Sequence, residues 1–398
     1  MPAGIYIHVP FCERKCAYCN FNTTDFLAEL ASEYVRAVSK EINRWGQKLS
    51  EGEGEPGAQR ERVEVDTIYL GGGTPSILEA EQVGTLIEAC NDSFHIAAPP
   101  EVTIEINPGT FARQKLESWR EAGVNRVSVG VQSFIDGELV SLSRTHSAAD
   151  ARRTIEALRE AGFENLSLDL IAGFPDQSEA DWEFNLGEAL RLRPEHLSLY
   201  LLEVKEGTRL ACQIGRGLRS QPDDDIAAQM YRKICEATRA NGYEHYEISN
   251  FARREFPQDA SPKPRSYRSK HNMKYWTGAP FYGMGCGAYS YDGRVRWVNI
   301  RKTECYIESI DKDGVAIAER SELSDKERFE EALFMALRLS EGVALDDFEI
   351  EYGVDVLDRY GGELKRFEEA GLVSIDNGRL RLTETGMLLS NEVFVAFV

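Results

Sequence analysis

The sequence predicts an α/β protein, a partial (β/α)6 TIM-like barrel followed by a smaller winged-helix-like α+β module. Short apolar runs rich in Val, Ile, Leu and Tyr alternate six times with segments of helical periodicity. Such alternation implies parallel strands joined by helical crossovers, because parallel neighbours need a long return connection. Six units fall short of the eight that close a barrel, so an open, three-quarter barrel with a wide lateral mouth is expected. Beyond residue 323 the pattern changes to helices and one hairpin.

The six predicted strands are residues 5–9, 67–70, 102–106, 126–131, 166–171 and 197–204. Their helices follow at 27–45, 80–91, 111–122, 148–161, 179–192 and 225–240. The Gly, Glu and Pro of residues 47–62 predict a surface insertion, and the prolines and basic residues of 253–270 predict a solvated basic loop. In the last part of the chain, Ser324 with Glu327 three residues on is a capping box that starts a helix. Asn377-Gly378 marks a tight turn between strands at 373–375 and 379–382. The expected organisation is a barrel over residues 1–245, a connecting segment over 246–322 and the winged-helix-like module over 323–398.

Composition narrows the function. The 398 residues hold 46 Lys and Arg against 66 Asp and Glu, a formal charge of −20, which repels a polyanionic nucleic acid. The last module is itself acidic, which argues for protein contact or structural packing there rather than DNA binding. No apolar run is long enough to span a membrane and no signal peptide opens the chain, so a cytoplasmic protein is expected. In that compartment its eight cysteines are not expected to form structural disulfides. Cys90, Cys212, Cys235, Cys286 and Cys305 stand alone and read as small buried hydrophobes.

Three cysteines do demand a chemical account. Cys12-Glu-Arg-Lys-Cys16-Ala-Tyr-Cys19 puts three thiols in a short loop just past the first strand. Soft thiolates suit zinc or an iron–sulfur cluster. Zinc would need a fourth ligand, and His8, the nearest candidate, lies inside the apolar strand run Ile5-Tyr-Ile-His-Val9. A cubane cluster with one iron left without a protein ligand accounts for three cysteines better.

Cys-x3-Cys-x2-Cys after the first strand of a β/α repeat resembles the signature of the radical S-adenosylmethionine (SAM) enzymes. The resemblance implies a [4Fe–4S] cluster on Cys12, Cys16 and Cys19, with SAM chelating the fourth iron. The next strand ends in Gly71-Gly72-Gly73-Thr74-Pro75-Ser76, similar to the segment that contacts the SAM amino group in that superfamily, which implicates Gly72, Gly73 and Thr74. Glycines there let backbone carbonyls approach an ammonium closely. The motifs further resemble one branch, the anaerobic coproporphyrinogen III oxidases and the related HemW-type heme chaperones. Glu105, Gln132, Arg144 and Asp169 align with its SAM-contacting positions, and Tyr6 and Tyr18 would pack the cluster and cofactor. A ribose diol needs a carboxylate or amide acceptor, and a guanidinium matches the SAM carboxylate. Most of these positions fall at the C-terminal ends of predicted strands, the rim where β/α barrels build their sites.

Two features divide the branch. The oxidases carry a further cysteine two residues after the third, where this chain has Phe21. The chaperone-type members resemble this sequence there, and also in His271-Asn272-Met273-Lys274-Tyr275-Trp276, a motif associated with heme. The resemblance implies a heme contact at His271, since imidazole is a good axial ligand. With heme there, the basic residues Arg265 to Lys270 just before it are expected near the propionates. It implies a heme chaperone that holds a cluster and SAM and hands heme to an acceptor apoprotein, with an electron donor for the cluster. The alternative is an oxygen-independent coproporphyrinogen III oxidase that decarboxylates propionates by radical chemistry. Gly283-Met-Gly285-Cys-Gly287-Ala288 superficially satisfies a dinucleotide fingerprint, but no helix is expected after it, so a packing turn is the reading.

Overall fold

The computed structural model describes residues 1–51, 62–110, 112–254 and 266–397. Six strands form the predicted parallel series: β1 (Ala3–Val9), β2 (Glu64–Gly72), β3 (His95–Ile106), β4 (Arg126–Gln132), β5 (Leu166–Ala172) and β6 (His196–Leu201). They lie side by side in chain order, each parallel to the next. Strands such as β1 and β5 are buried along nearly their whole length, because helices cover one face and the barrel interior the other. The outer helices include Ala28–Glu51, Ala80–Ser93, Arg113–Glu121, Ala148–Glu160, Glu179–Arg191 and Asp224–Ala240. Capping boxes begin several of them, as where Ser147 and Asp150 bond to each other's backbone amides.

The sheet does not close. Beyond β6 lie β7 (Tyr243–Glu247) and β8 (Asn250–Arg253), with β8 antiparallel to β6 and β7 at the edge. On the other side β1 pairs in parallel with β9 (Phe281–Met284), and β10 (Tyr289–Tyr291), β11 (Val295–Asn299) and β12 (Ile317–Glu322) follow antiparallel. Residues 246–322, expected as a connection, thus supply strands to both sides of one 12-stranded sheet.

Between these flanks the helix Lys270–Trp276 lies across the N-terminal end of the barrel. Glu101, in β3, accepts from the backbone N–H groups of Lys270 and His271 at 3.1 and 3.0 Å, and Lys274 pairs with Asp66 at 2.6 Å. The helix is a plug, opposite the rim that carries the cysteines.

The C-terminal module follows the expected order. Ser324 and Glu327 form the capping box of helix Asp325–Ala336, and helices Leu345–Tyr352 and Val356–Glu369 come next. The hairpin Val373–Asp376/Arg379–Leu382 turns at Asn377 (φ 50°) and Gly378 (φ 71°), a type I′ pattern, and Val343–Ala344 adds a third strand. The module's apolar side chains join the barrel's main core.

Several expectations are corrected. The sixth strand stops at Leu201, and the residues after it fold over the rim, where Leu202 and Glu203 line a cavity. The first helix continues to Glu51, so residues 47–51 are helical, and 52–61 of the expected insertion lie outside the described residues. Residues 255–265 of the expected basic loop also lie outside them. Of the lone cysteines, Cys90, Cys235 and Cys286 are buried as expected, whereas Cys212 and Cys305 are exposed. The glycine run 283–287 serves packing as expected: Gly283 lies in β9, where a side chain would strike the Tyr289 backbone, and Gly285 donates to Glu41 at 2.7 Å.

Candidate functional site

A single cavity of about 330 Å3 at the C-terminal rim gathers most of the residues singled out from sequence. Cys12, Cys16, Cys19 and Tyr18 reach it from the loop after β1, and Gly72, Gly73 and Thr74 from the end of β2. Glu105 comes from the end of β3, Gln132 from the last residue of β4, Asp169 from β5, and Arg144 from the loop before helix Ala148–Glu160.

Tight backbone packing holds the first two loops together. Gly73 donates to Val9 at 2.7 Å and Thr74 to Phe11 at 2.8 Å, so the glycine segment lies directly on the chain that enters the cysteine loop. A Cβ on Gly73 would meet the Phe11 carbonyl oxygen at 2.7 Å, and one on Gly72, whose φ is 110°, would meet the His8 ring at 2.5 Å. The glycines therefore serve loop-on-loop packing as well as any close approach to a ligand. His8 itself is a strand residue, with Nε2 at 2.8 Å from the Asn22 carbonyl oxygen and Nδ1 at 3.1 Å from the Tyr6 hydroxyl.

The thiols share a polar, partly enclosed setting. Thr74 Oγ1 lies 3.5 Å from Cys12 Sγ, and Arg144 Nη1 lies 3.5 Å from Cys16 Sγ. Burial, joined by repulsion from the neighbouring thiols, pushes the Cys12 and Cys19 pKa values up. Half-buried thiols gathered in one loop suit a cationic metal core, whose charge would hold them as thiolates. Among the described residues no group of three His, Cys, Asp or Glu side chains is arranged to hold a single ion.

Deeper in the cavity the carboxylates are held by donors on the strands. Glu105 accepts from the Tyr69 hydroxyl at 2.7 Å and from the Gly72 N–H at 3.0 Å. Burial nevertheless raises its pKa to about 7. Asp169 accepts from Ser128 at 3.0 Å, and burial likewise raises its pKa. Arg144 Nη2 donates to Asn107 at 2.6 Å and to the Gly130 carbonyl at 2.7 Å. These two bonds fix a planar cation beside the cysteines.

Some residues that shape the cavity carried no expectation from sequence. Asn107 bridges Arg144 and Thr74, donating to Thr74 Oγ1 at 2.9 Å. A Cβ on Gly130 would crowd Asn107, Gln132 and Arg144 at 3.1 to 3.3 Å, and the signal for it was a lone glycine inside a strand pattern. Gln132 closes that strand at φ 64°, a left-handed conformation uncommon for a non-glycine residue and typical of functional sites. Phe21 is 60% exposed and lines the cavity beside the cysteines.

Two expected site residues lie elsewhere. Tyr6 points into the barrel interior, 6.1 Å from Tyr69 and 6.3 Å from His271 between ring centroids, and does not line the cysteine cavity. His271 sits in the plug helix, 1% exposed, with Nδ1 at 2.9 Å from Thr67 Oγ1 and Nε2 at 3.0 Å from the Tyr275 hydroxyl. Burial, with Lys274 and Arg126 nearby, lowers its pKa to about 3, so the ring is neutral. Both nitrogens are engaged in the core, and the ring stacks on Tyr69 at 5.1 Å. In this arrangement both ring nitrogens face protein partners, and the ring lies outside the cysteine cavity. Trp276 packs beneath Arg338 at 4.3 Å, and Arg268, expected near propionates, is tied to Glu244 and Glu341.

Similarity to known proteins agrees with this geometry. Residues 6–186 match the radical SAM superfamily and residues 323–389 the HemN C-terminal domain. The coproporphyrinogen III oxidase HemN of Escherichia coli shares the fold, with a TM-score of 0.82 at 22% identity, over 100% of this chain and 90% of that one. The heme chaperone HemW of Bacillus subtilis is 35% identical over 99% of this chain and 98% of its own. A mitochondrial radical S-adenosyl methionine domain-containing protein 1 of Bos taurus is 32% identical over 100% of this chain and 87% of its own. No helix among the described residues is long and apolar enough to cross a membrane. A radical SAM domain implies a [4Fe–4S] cluster and SAM, and the donor set in the cavity fits both. With similarity sustained from end to end, the chain belongs to the HemW heme chaperone family of radical SAM proteins.

Proposed function

We propose that this protein binds heme and delivers it to an acceptor apoprotein in the cytoplasm, while carrying a [4Fe–4S] cluster and SAM. The observation that carries the reading is full-length similarity to proteins named heme chaperones, at 35% identity over 99% of the chain. Phe21, at the position where the oxidases have an extra cysteine, supports the same side of the branch.

In this reading Cys12, Cys16 and Cys19 hold the cluster. The Gly72–Thr74 backbone and the Arg144 guanidinium would meet the amino and carboxylate groups of SAM. Glu105, Gln132 and Asp169 serve as acceptors for the ribose and the rest of the nucleoside, and Tyr18 closes one side. The cluster supplies electron-transfer chemistry when present, drawing on an external donor, and the chain supplies orientation and exclusion of water.

The test is anaerobic purification and cluster reconstitution, then titration with heme and incubation with a heme-free acceptor. An iron–sulfide absorbance, a saturable heme spectrum and movement of heme to the acceptor are expected. Decarboxylation of coproporphyrinogen III by the same preparation would overturn the reading in favour of the oxidase, and absence of heme binding would remove it outright.

A further inference from the structure

A second cavity, of about 540 Å3, opens between the flank of the sheet and the C-terminal module. It lies apart from the cysteine site, sharing no lining residue with it. Its size falls in the range of roughly 300–1,000 Å3 in which proteins seat small molecules and cofactors. The cysteine cavity, about 330 Å3, is at the low end of that range, and its lining is the one assigned above to the cluster and SAM.

The larger cavity has aromatic and apolar walls from two separate parts of the fold. Tyr275, Phe281 and Tyr291 come from the plug helix and the sheet flank, with Tyr275 and Phe281 edge to face at 4.7 Å. Phe334, Met335 and Tyr352 come from the helices of the module. Apolar walls with a cationic rim suit a flat, apolar-faced molecule bearing carboxylates. Arg296 and Arg328 supply the rim cations. Arg296 also contacts Glu331, and Arg328 donates to the Gly293 carbonyl at 3.1 Å and lies 3.7 Å from Asp325, but each guanidinium carries five N–H donors, more than these contacts use. The other lining acids are engaged as well, Glu330 with Arg359 at 3.0 Å and Glu327 with the Ser324 cap. Met335 and Tyr289 bring to the lining a thioether and a phenol, both known types of heme-iron ligand.

We propose that heme sits in this cavity, between the sheet flank and the C-terminal module, and not on His271 or beside the cysteines. The proposal rests on the heme-carrying reading above and adds the place. It also gives the His271–Trp276 motif a physical part. Tyr275 stands in the cavity wall while its hydroxyl holds His271 Nε2 at 3.0 Å, so the histidine positions the wall from behind.

The experiment is heme titration, followed by absorbance, of the full-length protein and three variants. Ala332→Trp places a bulky ring in the cavity, Arg328→Glu reverses a rim charge, and a Cys12, Cys16 and Cys19 to Ala triple variant removes the cluster. Wild type is expected to bind heme, Ala332→Trp to bind it at least tenfold more weakly, Arg328→Glu several-fold more weakly, and the triple variant with unchanged affinity. Iron content and SAM binding should stay at wild-type level in Ala332→Trp and Arg328→Glu. If Ala332→Trp does not fold, Arg328→Glu, a change at a half-buried rim position, decides alone. Wild-type affinity in the cavity variants, or loss of heme binding in the triple variant, would overturn this location while leaving the heme-carrying reading intact. No heme binding by wild type would remove both.

Discussion

The two ends of the barrel are built from the same kinds of side chain and treat them in opposite ways. At the plug end, Glu101 caps two backbone amides, Thr67 and Tyr275 satisfy both nitrogens of His271, and Ser167 and Tyr246 satisfy both nitrogens of His196 at 2.8 Å. At the rim, Glu105, Asp169, Arg144 and the three thiols surround open space. Buried polar groups satisfied by one another specify a fold, whereas convergent polar groups around a void bind something else. A buried histidine in a distinctive motif is therefore poor evidence for a ligand until its partners are counted.

This contrast is sharpest for the cysteines. Replacing Cys12, Cys16 and Cys19 by Ala removes no core contact, so the far-ultraviolet circular dichroism should match wild type while bound iron and sulfide fall to background. A protein that failed to fold without its thiols would erase the distinction between the two ends. At the other end the expectation reverses. His271→Ala leaves Thr67 and Tyr275 short of a partner and opens a void in the core, a loss of about 2–4 kcal/mol. Its urea midpoint should fall markedly, with iron content and SAM affinity unchanged under native conditions. Unaltered stability would break the comparison from the plug side.

Gly72 tests the seam between loop and site. At φ 110° and with the His8 ring 2.5 Å from any added Cβ, Gly72→Ala should cost about 1–3 kcal/mol. SAM binding should weaken with it, because the strained turn moves the segment that faces the cysteines. Calorimetric titration of SAM against the folded variant measures the second effect apart from the first, and full SAM affinity would show that the glycine serves packing alone.

Much of this was legible in the sequence, and the limits have physical causes. The six parallel strands show because strands buried on both faces are uninterrupted apolar runs, and the Asn377-Gly378 hairpin shows because its turn requires positive φ. The cysteine loop, Gly72, Glu105, Gln132 and Asp169 meet because the ends of neighbouring parallel strands share one rim. What escaped notice depends on tertiary partners. Tyr6 lies near the cysteines along the chain, yet on a strand successive side chains point to opposite faces and toward different depths, and this one faces the plug. The partners of His271 are illegible in one dimension because nothing in its neighbourhood names Thr67, some two hundred residues away. Gly130 and Asn107 matter through Arg144, which approaches them from another loop.

The smallest effect expected concerns Glu105, which belongs to both ends: its carboxylate faces the cavity, and its Tyr69 donor stacks on His271. Burial lifts its pKa to about 7, above the ordinary value of 4.5. In the folded state the group therefore keeps its proton to a higher pH than in the unfolded chain, so its contribution to stability is full below about pH 4.5 and is lost as pH rises toward 7. Ligand binding runs the other way. A charged carboxylate is the stronger acceptor for ribose hydroxyls, so SAM affinity should rise as pH increases from 6 to 8, by less than about tenfold. Glu105→Gln holds a neutral acceptor in the same place and should flatten both profiles, weakening SAM slightly at pH 8 and hardly at pH 6. A pH dependence that survives the substitution would assign the titration to another group, with buried Asp169, which also faces the cavity, next in line.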